Sequence, residues 1–363
     1  MHRDSAVFRE PIGTARAVGM ARRELICCLG VALLLRVAAC WYFQSHLTTD
    51  LDAYAGIAQA VANGDGYSTP GTTEPTAYRP PLFPLLLAAT MNLVDIAWSV
   101  SLWQVVLGVA TVGLTWRLAC DLGLGRSAFL AALLVAVDPI LLFYGTYPMT
   151  EVCCACLTTA WCCLVVRSRR LAETATSSTI ATTNLLTGFV FGLAVLCRPT
   201  LWAAGALYCC MVMAPTICFR RVSSASRLIA LFTAFVGIAV AVTPWVIRNQ
   251  MVFGTPIMTT THGGYTLLLA NNPTFYDEVV EQPWGVVWSG TSLAEWQQSL
   301  EAEMHDENIA GEVERDRWMS RRARQFICEH PRTFIKASVK RWLWFWNPIP
   351  LETNNTSLAG IRW

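Results

Sequence analysis

Charged residues are scarce in this sequence. They occupy 14% of the 363 positions, whereas hydrophobic residues occupy 54%, and the mean hydropathy is +0.41. A water-soluble chain of this length needs more polar surface than such a composition supplies. The formal net charge is only +2, which gives no general attraction for nucleic acid, so we expect no nucleic-acid partner. The composition predicts a protein that is largely embedded in a lipid bilayer.

Motifs that mark several common enzyme classes are missing as well. The sequence has no glycine loop for nucleotide phosphates, no helical histidine pair for a metal and no nucleophilic serine motif. These absences argue against an ATP-driven pump. Fourteen cysteines are present, but nearly all of them lie in apolar runs. We interpret them as small hydrophobic residues rather than as disulfide partners or zinc ligands.

Seven apolar runs approach the roughly 20 residues that a helix needs to cross a bilayer. We predict that an eighth run, 82–98, does not cross, because Pro80, Pro81 and Pro84 favour an interfacial or re-entrant helix. Arginine clusters flank the seven runs, and the positive-inside tendency assigns these clusters to the cytoplasm. The seven runs are 25–43, 100–119, 127–143, 152–166, 185–197, 200–219 and 228–247, and the clusters are Arg16, Arg22 and Arg23; Arg117 and Arg126; Arg167, Arg169 and Arg170; and Arg220, Arg221 and Arg227.

These runs divide the chain into three parts. We predict a cytoplasmic N-terminus over 1–24, a transmembrane core over 25–247 with a first outer loop at 44–81, and an extracytoplasmic region over 248–363. The last part ends in an aromatic run, 342–346, typical of a small domain that lies on the membrane surface. The predicted fold class is an all-α polytopic membrane protein, a multi-span helical bundle in the inner (plasma) membrane with membrane lipids around it.

Two aspartates open the first outer loop, directly after the first span. Asp50 and Asp52 have the chemistry of a general base, a carboxylate that takes a proton from an acceptor hydroxyl or amine. Helix capping is the alternative for Asp50, because a helix running through Tyr54 and Ala58 would begin beside it. The spacing alone does not decide between these two interpretations.

Ionisable residues also mark the outer ends of other segments. Arg79 lies just before a helix start that contains several prolines, and Glu151 is at the beginning of a predicted span. Arg198 and Arg248 lie at the outer ends of two further spans. A guanidinium binds phosphate through paired donors, so these three arginines are candidate phosphate ligands, with anchoring to ordinary lipid headgroups as the alternative. A turn rich in glycine and asparagine at His262 is either a pocket wall or a plain loop.

A series of short motifs, taken in order, is similar to one known family. The motifs are Asp50 to Tyr54, Gly64-Asp65-Gly66-Tyr67, Arg79-Pro80-Pro81-Leu82-Phe83-Pro84-Leu85, Asp138-Pro139, Thr150-Glu151, Arg198-Pro199 and Pro244-Trp245-Val246-Ile247-Arg248-Asn249. They resemble the bacterial relatives of protein O-mannosyltransferases, multi-span enzymes of the C-fold glycosyltransferase superfamily, which also contains lipid A aminoarabinose transferase. The resemblance covers roughly residues 25–273.

The resemblance implies an inverting transfer of a sugar from a polyprenyl-phosphate donor to a lipid, glycan or protein acceptor on the non-cytoplasmic face. It implies that Asp50 is the catalytic base, with Asp52 as the alternate and Glu151 at a second acidic position. The arginines at the outer ends of these segments are expected to bind the donor phosphate. Tyr54 and Tyr78, together with the His262 turn, are expected to line the substrate pocket.

Two other functions share this hydropathy and arginine pattern. They are a lipid-linked glycan transporter and a non-catalytic membrane assembly protein of the same fold. A transporter should concentrate charge inside its spans, whereas only Arg36 is clearly intramembrane in this sequence. No organic cofactor is expected, and a divalent metal held by Asp50, Asp52 and Glu151 stays open.

Overall fold

The computed structural model describes residues 12–171, 176–213, 224–286 and 288–346. Contacts divide the chain into two compact units, Met1–Thr259 and Thr260–Trp363. The regular structure of these described ranges is helical, apart from an isolated β-bridge between Ser68 and Pro75. The predicted all-α class is therefore confirmed.

The first unit is a bundle of long helices with a shorter helical hairpin, formed by one helix of the first outer loop and the helix that directly follows this loop. Buried Tyr54, Phe83 and Leu87 pack this hairpin, α2 and α3, into one apolar cluster with the bundle. The helices are α1 Ile12–Tyr42, a 3₁₀ helix Gln44–Thr48, α2 Tyr54–Asn63, α3 Leu82–Met91, α4 Ile96–Asp121, α5 Ser127–Ala136, α6 Pro139–Tyr144, α7 Glu151–Leu171, α8 Ser177–Cys197, a 3₁₀ helix Pro199–Leu201, α9 Trp202–Met213 and α10 Ser224–Phe253.

Five helical segments of the described chain are long and apolar enough to cross a membrane. Each exceeds or reaches about 20 residues, which at 1.5 Å per residue gives about 30 Å, the thickness of the apolar core of a bilayer. The multi-span prediction is confirmed by these segments. They are Arg22–Tyr42, Ile96–Asp121, Glu151–Leu171, Ser178–Cys197 and Ser226–Phe253.

Two of the seven predicted runs differ from single long helices. The run 127–143 breaks between α5 and α6, because Pro139 has no amide hydrogen and the Asp138 carboxylate accepts the Leu141 N–H at 2.8 Å. The run 200–219 is helical to Met213, and its remainder, like Arg220 and Arg221, lies outside the described residues.

The proline-rich run 82–98 is not one helix either. α3 has ten residues and rises about 15 Å, roughly half of the bilayer core. The next helix, α4, begins only after Asp95, whose carboxylate accepts the Trp98 N–H at 3.0 Å. This short helix agrees with a segment that does not cross the membrane by itself.

Glycines bring α8 and α10 into close contact. A Cβ added at Gly188 would lie 1.8 Å from the Ala234 carbonyl oxygen, and one added at Gly237 would lie 2.1 Å from the Leu185 oxygen. Gly192 lies one turn after Gly188, and a Cβ added there would lie 2.7 Å from the Ala241 Cβ. Small residues spaced four apart let membrane helices approach backbone to backbone, which strengthens dispersion contacts without any hydrophobic driving force. α8 therefore has a fixed position, and its C-terminal end carries Arg198.

The intramembrane Arg36 forms a hydrogen bond with the end of α5. Its Nη1 donates to the Ala136 carbonyl at 3.4 Å, at the helix end where the backbone dipole is negative. Its stem lies over Gly108 of α4, where an added Cβ would be 2.0 Å from Nε. Arg36 is buried, so this contact joins α1, α4 and α5 across the bundle.

The described cysteines are free thiols. Cys28, Cys153 and Cys156 are buried among apolar side chains, as expected for small hydrophobic residues. The end of the bundle opposite the first outer loop carries Asp121, which pairs with Arg117 at 2.7 Å and with Arg170 at 2.9 Å.

The second unit is built from shorter helices with its own apolar core. Leu268, Leu300, Met304 and Trp318 are buried together in that core. The elements are α11 Gly263–Leu269, α12 Pro273–Phe275, a π-helical turn Tyr276–Val280, α13 Thr291–Asp306, α14 Glu312–Glu329 and α15 Pro331–Phe345.

Candidate active site

Four segments of the first unit meet at the end of the bundle that carries the first outer loop. The loop contributes Asp52, the approach to α3 contributes Arg79, the start of α7 contributes Glu151, and the residue after α8 is Arg198. Two ion pairs form there, and each joins residues that are far apart in sequence.

The first ion pair is Arg79 with Asp52. Arg79 Nη2 donates to Asp52 Oδ1 at 2.9 Å, and Arg79 Nε donates to the Asp52 carbonyl at 2.7 Å. The Arg79 guanidinium carbon also lies 5.5 Å from the ring centre of Tyr54 and 4.9 Å from that of Tyr78. Only 15% of the Arg79 side chain is exposed. The guanidinium is therefore held in one orientation by two hydrogen bonds and two aromatic rings.

The second ion pair is Arg198 with Glu151. Arg198 Nη2 contacts Glu151 Oε1, and Arg198 Nε donates to the Thr150 hydroxyl at 2.9 Å. The other carboxylate oxygen, Glu151 Oε2, is buried and has no hydrogen-bond partner among the described residues. Arg198 is 41% exposed, so this pair is more open to solvent than the first.

Tyr54 connects the two ion pairs. Its ring lies under Arg79, and the Thr150 side chain, to which Arg198 donates, is among the groups that lower its pKa. Burial raises the pKa of Tyr54 to about 12, against the opposing influence of Arg79. Its position follows from a tight turn, because Ala53 adopts a left-handed conformation with φ 64° just before α2 begins. We call Asp52, Tyr54, Arg79, Thr150, Glu151 and Arg198 the outer cluster.

Tyr144 lies near the outer cluster, since the charges of Glu151, Arg198 and Asp52 act on its hydroxyl. Burial raises the pKa of Tyr144, and the nearby Glu151 carboxylate raises it further. Tyr144 ends α6, so the helix break at Pro139 sets its position.

Asp50 does not form an ion pair with any described residue. Its Oδ2 accepts the Gly56 N–H at 2.7 Å, in the first turn of α2. Helix capping, the alternative for this residue, is therefore part of its role. Its second oxygen, Oδ1, is buried and has no hydrogen-bond partner within the described ranges. One carboxylate oxygen is thus fixed by the backbone while the other stays unengaged.

Arg248 fastens the first outer loop to α10. Its Nη1 donates to the Thr76 carbonyl at 2.8 Å and its Nη2 to the Tyr67 carbonyl at 2.7 Å. The Tyr67 hydroxyl in turn donates to the Arg79 carbonyl at 2.9 Å. Arg248 thereby supports the backbone of Arg79 through Tyr67. These contacts supply a structural role beside the phosphate role expected from the sequence.

His262 belongs to the second unit. There its ring lies 5.3 Å from that of Tyr265, at the start of α11. Its expected place in the substrate pocket stays a prediction, whereas Tyr78 lies against Arg79 in the first unit.

The described residues contain no group of three or more His, Cys, Asp or Glu side chains that could hold a metal ion. Asp52 and Glu151 each face an arginine instead. A divalent metal held by Asp50, Asp52 and Glu151 stays a prediction.

An open polar groove of about 670 Å³ lies on the outward side of α2. Gln59, Asn63, Asp65 and Glu74 line it, together with Thr72 and Thr73. None of its lining residues belongs to the outer cluster, so we do not assign it a step in the chemistry.

Comparison with protein families identifies a related group. Residues 78–247 match the family described as dolichyl-phosphate-mannose-protein mannosyltransferase. No curated protein and no solved structure matches the chain. The matched segment is just under half of the 363 residues and contains Arg79, Glu151 and Arg198, whereas Asp50, Asp52 and Tyr54 precede it. The predicted resemblance is confirmed over this segment, and the match supports a multi-pass membrane glycosyltransferase.

Proposed function

We propose that this membrane glycosyltransferase moves a mannosyl group from a polyprenyl-phosphate donor to a hydroxyl group of a protein or glycan acceptor. The observation that carries the proposal is the outer cluster, in which two arginine–carboxylate pairs meet at Tyr54. Ionisable groups gathered at the mouths of membrane spans commonly mark substrate sites. The family match supports a donor of the polyprenyl-phosphate type.

Arg198 and Arg79 are the groups that would hold the donor phosphate. Each guanidinium carries donors that suit phosphate oxygens in a paired geometry. In this structure both arginines bind carboxylates, so a donor phosphate would compete with Glu151 and Asp52. Arg198 is the more exposed of the two and would be reached first. Negative charge builds up on the leaving phosphate in the transition state, and fixed guanidinium groups stabilise that charge.

Asp50 would act as the general base. It would take the proton of the acceptor hydroxyl while the acceptor oxygen attacks the anomeric carbon, and the bond from that carbon to the phosphate oxygen would break. The products are the glycosylated acceptor and polyprenyl phosphate, and attack opposite the phosphate inverts the anomeric centre. The Gly56 N–H orients the Asp50 carboxylate and leaves Oδ1 for this proton. Because Oδ1 is covered, the outer loop would have to open for the acceptor to reach it.

Asp52 would serve mainly to position Arg79. Its carboxylate is occupied by the guanidinium, so it is not free to take a proton from an acceptor while that pair persists. Asp52 is the alternate base, since a phosphate that drew Arg79 away would free it.

The test is transfer of radiolabelled mannose from polyprenyl-phosphate mannose by the purified full-length protein in lipid. Asp50→Asn should lower the rate by about 10² to 10⁴, the usual contribution of a general base. Asp52→Asn is the matched control and should raise the KM for the donor more than it lowers kcat.

The opposite pattern, with turnover surviving Asp50→Asn and lost in Asp52→Asn, would assign the base to Asp52. Donor that is bound and moved across the bilayer, but never cleaved, would favour a transporter instead.

A further inference from the structure

Helix α15 of the second unit presents an unusually apolar face to its surroundings. Ile335 is 62% exposed, Val339 51%, Trp342 61% and Trp346 66%. These positions follow one another at intervals of four, three and four residues, so they lie along one side of the helix. We call these four residues, with the exposed Leu343 between them, the α15 apolar face.

The other side of α15 is fixed to the body of the second unit. Ala337 is buried, and Lys340 Nζ donates to the carbonyls of Val279 at 2.6 Å and Gln282 at 2.7 Å. Arg341 Nη1 donates to the Ala270 carbonyl at 2.7 Å. Burial lowers the pKa of both Lys340 and Arg341. These bonds set the rotation of the helix, so the apolar face cannot turn inward without breaking them.

The neighbouring helices of the same unit behave differently. The large apolar side chains of α13 and α14, such as Leu300, Met304 and Trp318, are buried or half-buried, and the exposed positions are mostly polar. Among the described residues of this unit, the exposed large apolar side chains lie on α15 and its end at Trp346, and at Trp284 and Val286; the Trp284 ring lies 5.9 Å from that of Trp344. A contiguous apolar patch on an otherwise polar unit indicates a surface that is covered by something.

We propose that the α15 apolar face inserts into the headgroup–acyl boundary of the phospholipid bilayer. The chain itself supplies the reason, because its five candidate spans hold every copy of this helix near a membrane. Tethering of this kind raises the effective concentration of the bilayer at the helix without any additional contact.

The composition of the face fits the same occupant. Tryptophan favours the interface, where its ring is apolar and its N–H remains hydrated. Exposed Arg332 stands one turn before Ile335, where a cation can meet lipid phosphate.

The test uses the full-length protein in nanodiscs of phosphatidylcholine and phosphatidylglycerol that carry a radiolabel. The photoreactive residue p-benzoylphenylalanine replaces Trp342 in one variant and Gln298, an exposed polar position of α13, in the matched control. A third variant carries it at Phe235 in α10, which is 67% exposed in a span and reports that the reagent labels lipid.

Illumination should attach lipid label at position 342 at least about ten times more efficiently than at position 298. Equal labelling at 342 and 298, with strong labelling at 235, would overturn the proposal. So would a crosslinked dimer at 342 in place of lipid, since a second copy would then cover the face. A variant at Val339 repeats the measurement if the 342 variant does not fold. The readout does not depend on catalysis, so its failure is separate from failure of the proposed glycosyl transfer.

Discussion

The two ends of α7 carry ion pairs in different surroundings. At the outer end Glu151 binds Arg198, beside Asp52 with Arg79, and the buried Tyr54 joins the two pairs. At the other end, about 28 Å away along the helix, Arg170 binds Asp121 and is more than half exposed. Exposed pairs contribute little because solvent screens them, whereas partly buried pairs with aromatic neighbours are sensitive to every group around them. The same chemistry thus marks a candidate site at one end and an ordinary surface at the other.

Among substitutions at the two ends of α7, the largest effect should follow removal of Arg198. Arg198→Ala should lower mannosyl transfer by about 10²-fold or more, because a fixed donor to the leaving phosphate is lost. Arg198→Lys should recover only part of this activity, since one ammonium cannot bind Thr150 and Glu151 in the same forked geometry. Transfer kinetics at saturating donor measure both variants. If Arg198→Ala kept wild-type kcat and KM, the two ends of α7 would be equivalent and the assignment of the site would fail.

The packing that supports the outer end can be tested apart from the site. Gly188→Ala should destabilise the first unit by about 1–3 kcal/mol, because the new methyl group meets the Ala234 backbone. Gly30→Ala is the matched control, since an added Cβ there meets nothing within 4 Å. Thermal unfolding in detergent should show a lower Tm for Gly188→Ala alone. Equal Tm values for the two variants would mean that α8 and α10 are not in backbone contact.

The sequence predicted most of the helices but not their ends. Hydropathy averages over many residues, so it detects the apolar length of α4, α7, α8 and α10. It does not register local capping, which is why the break at Asp138 and Pro139 was missed in a run that is apolar throughout. The close approach of α8 and α10 also escapes an average, because it depends on three glycines lying on facing sides.

For the candidate site, the sequence predicted which residues take part better than it predicted which of them form ion pairs with one another. Alternation of the arginine clusters put Glu151, Arg198 and the first loop at one end of the bundle, and the structure brings them together. Which aspartate meets Arg79 depends on the turn at Ala53, whose left-handed backbone no composition rule anticipates. Whether Asp50 is the base stays a prediction.

A smaller effect is expected at Tyr54. Tyr54→Phe removes a buried hydroxyl beside Thr150 and should reduce transfer by about 3- to 10-fold, the equivalent of about 1 kcal/mol. Since burial raises the pKa of Tyr54 from 10.0 to about 12, the hydroxyl remains protonated in neutral assays. Its contribution to stability should be present below pH 10.0 and disappear as the pH rises through about 12.

The pH profile provides the control for Tyr54. The ratio of wild-type to Tyr54→Phe rates should be constant below pH 10.0. A ratio that changed near neutral pH would mean that Tyr54 exchanges a proton during turnover, and the hydroxyl would then be more than a link between the two ion pairs.

The smallest effect should come from the inner end of α7. Arg170→Ala removes an exposed pair with Asp121, while Arg117 still binds the same carboxylate at 2.7 Å. Stability should fall by less than about 0.5 kcal/mol, and this difference should shrink further as salt is added. Transfer should stay within about twofold of wild type, because Arg170 lies roughly a bilayer thickness from the outer cluster. A large loss of transfer in Arg170→Ala, without a loss of stability, would show that the inner end is also part of the machinery and that the contrast between the two ends is wrong.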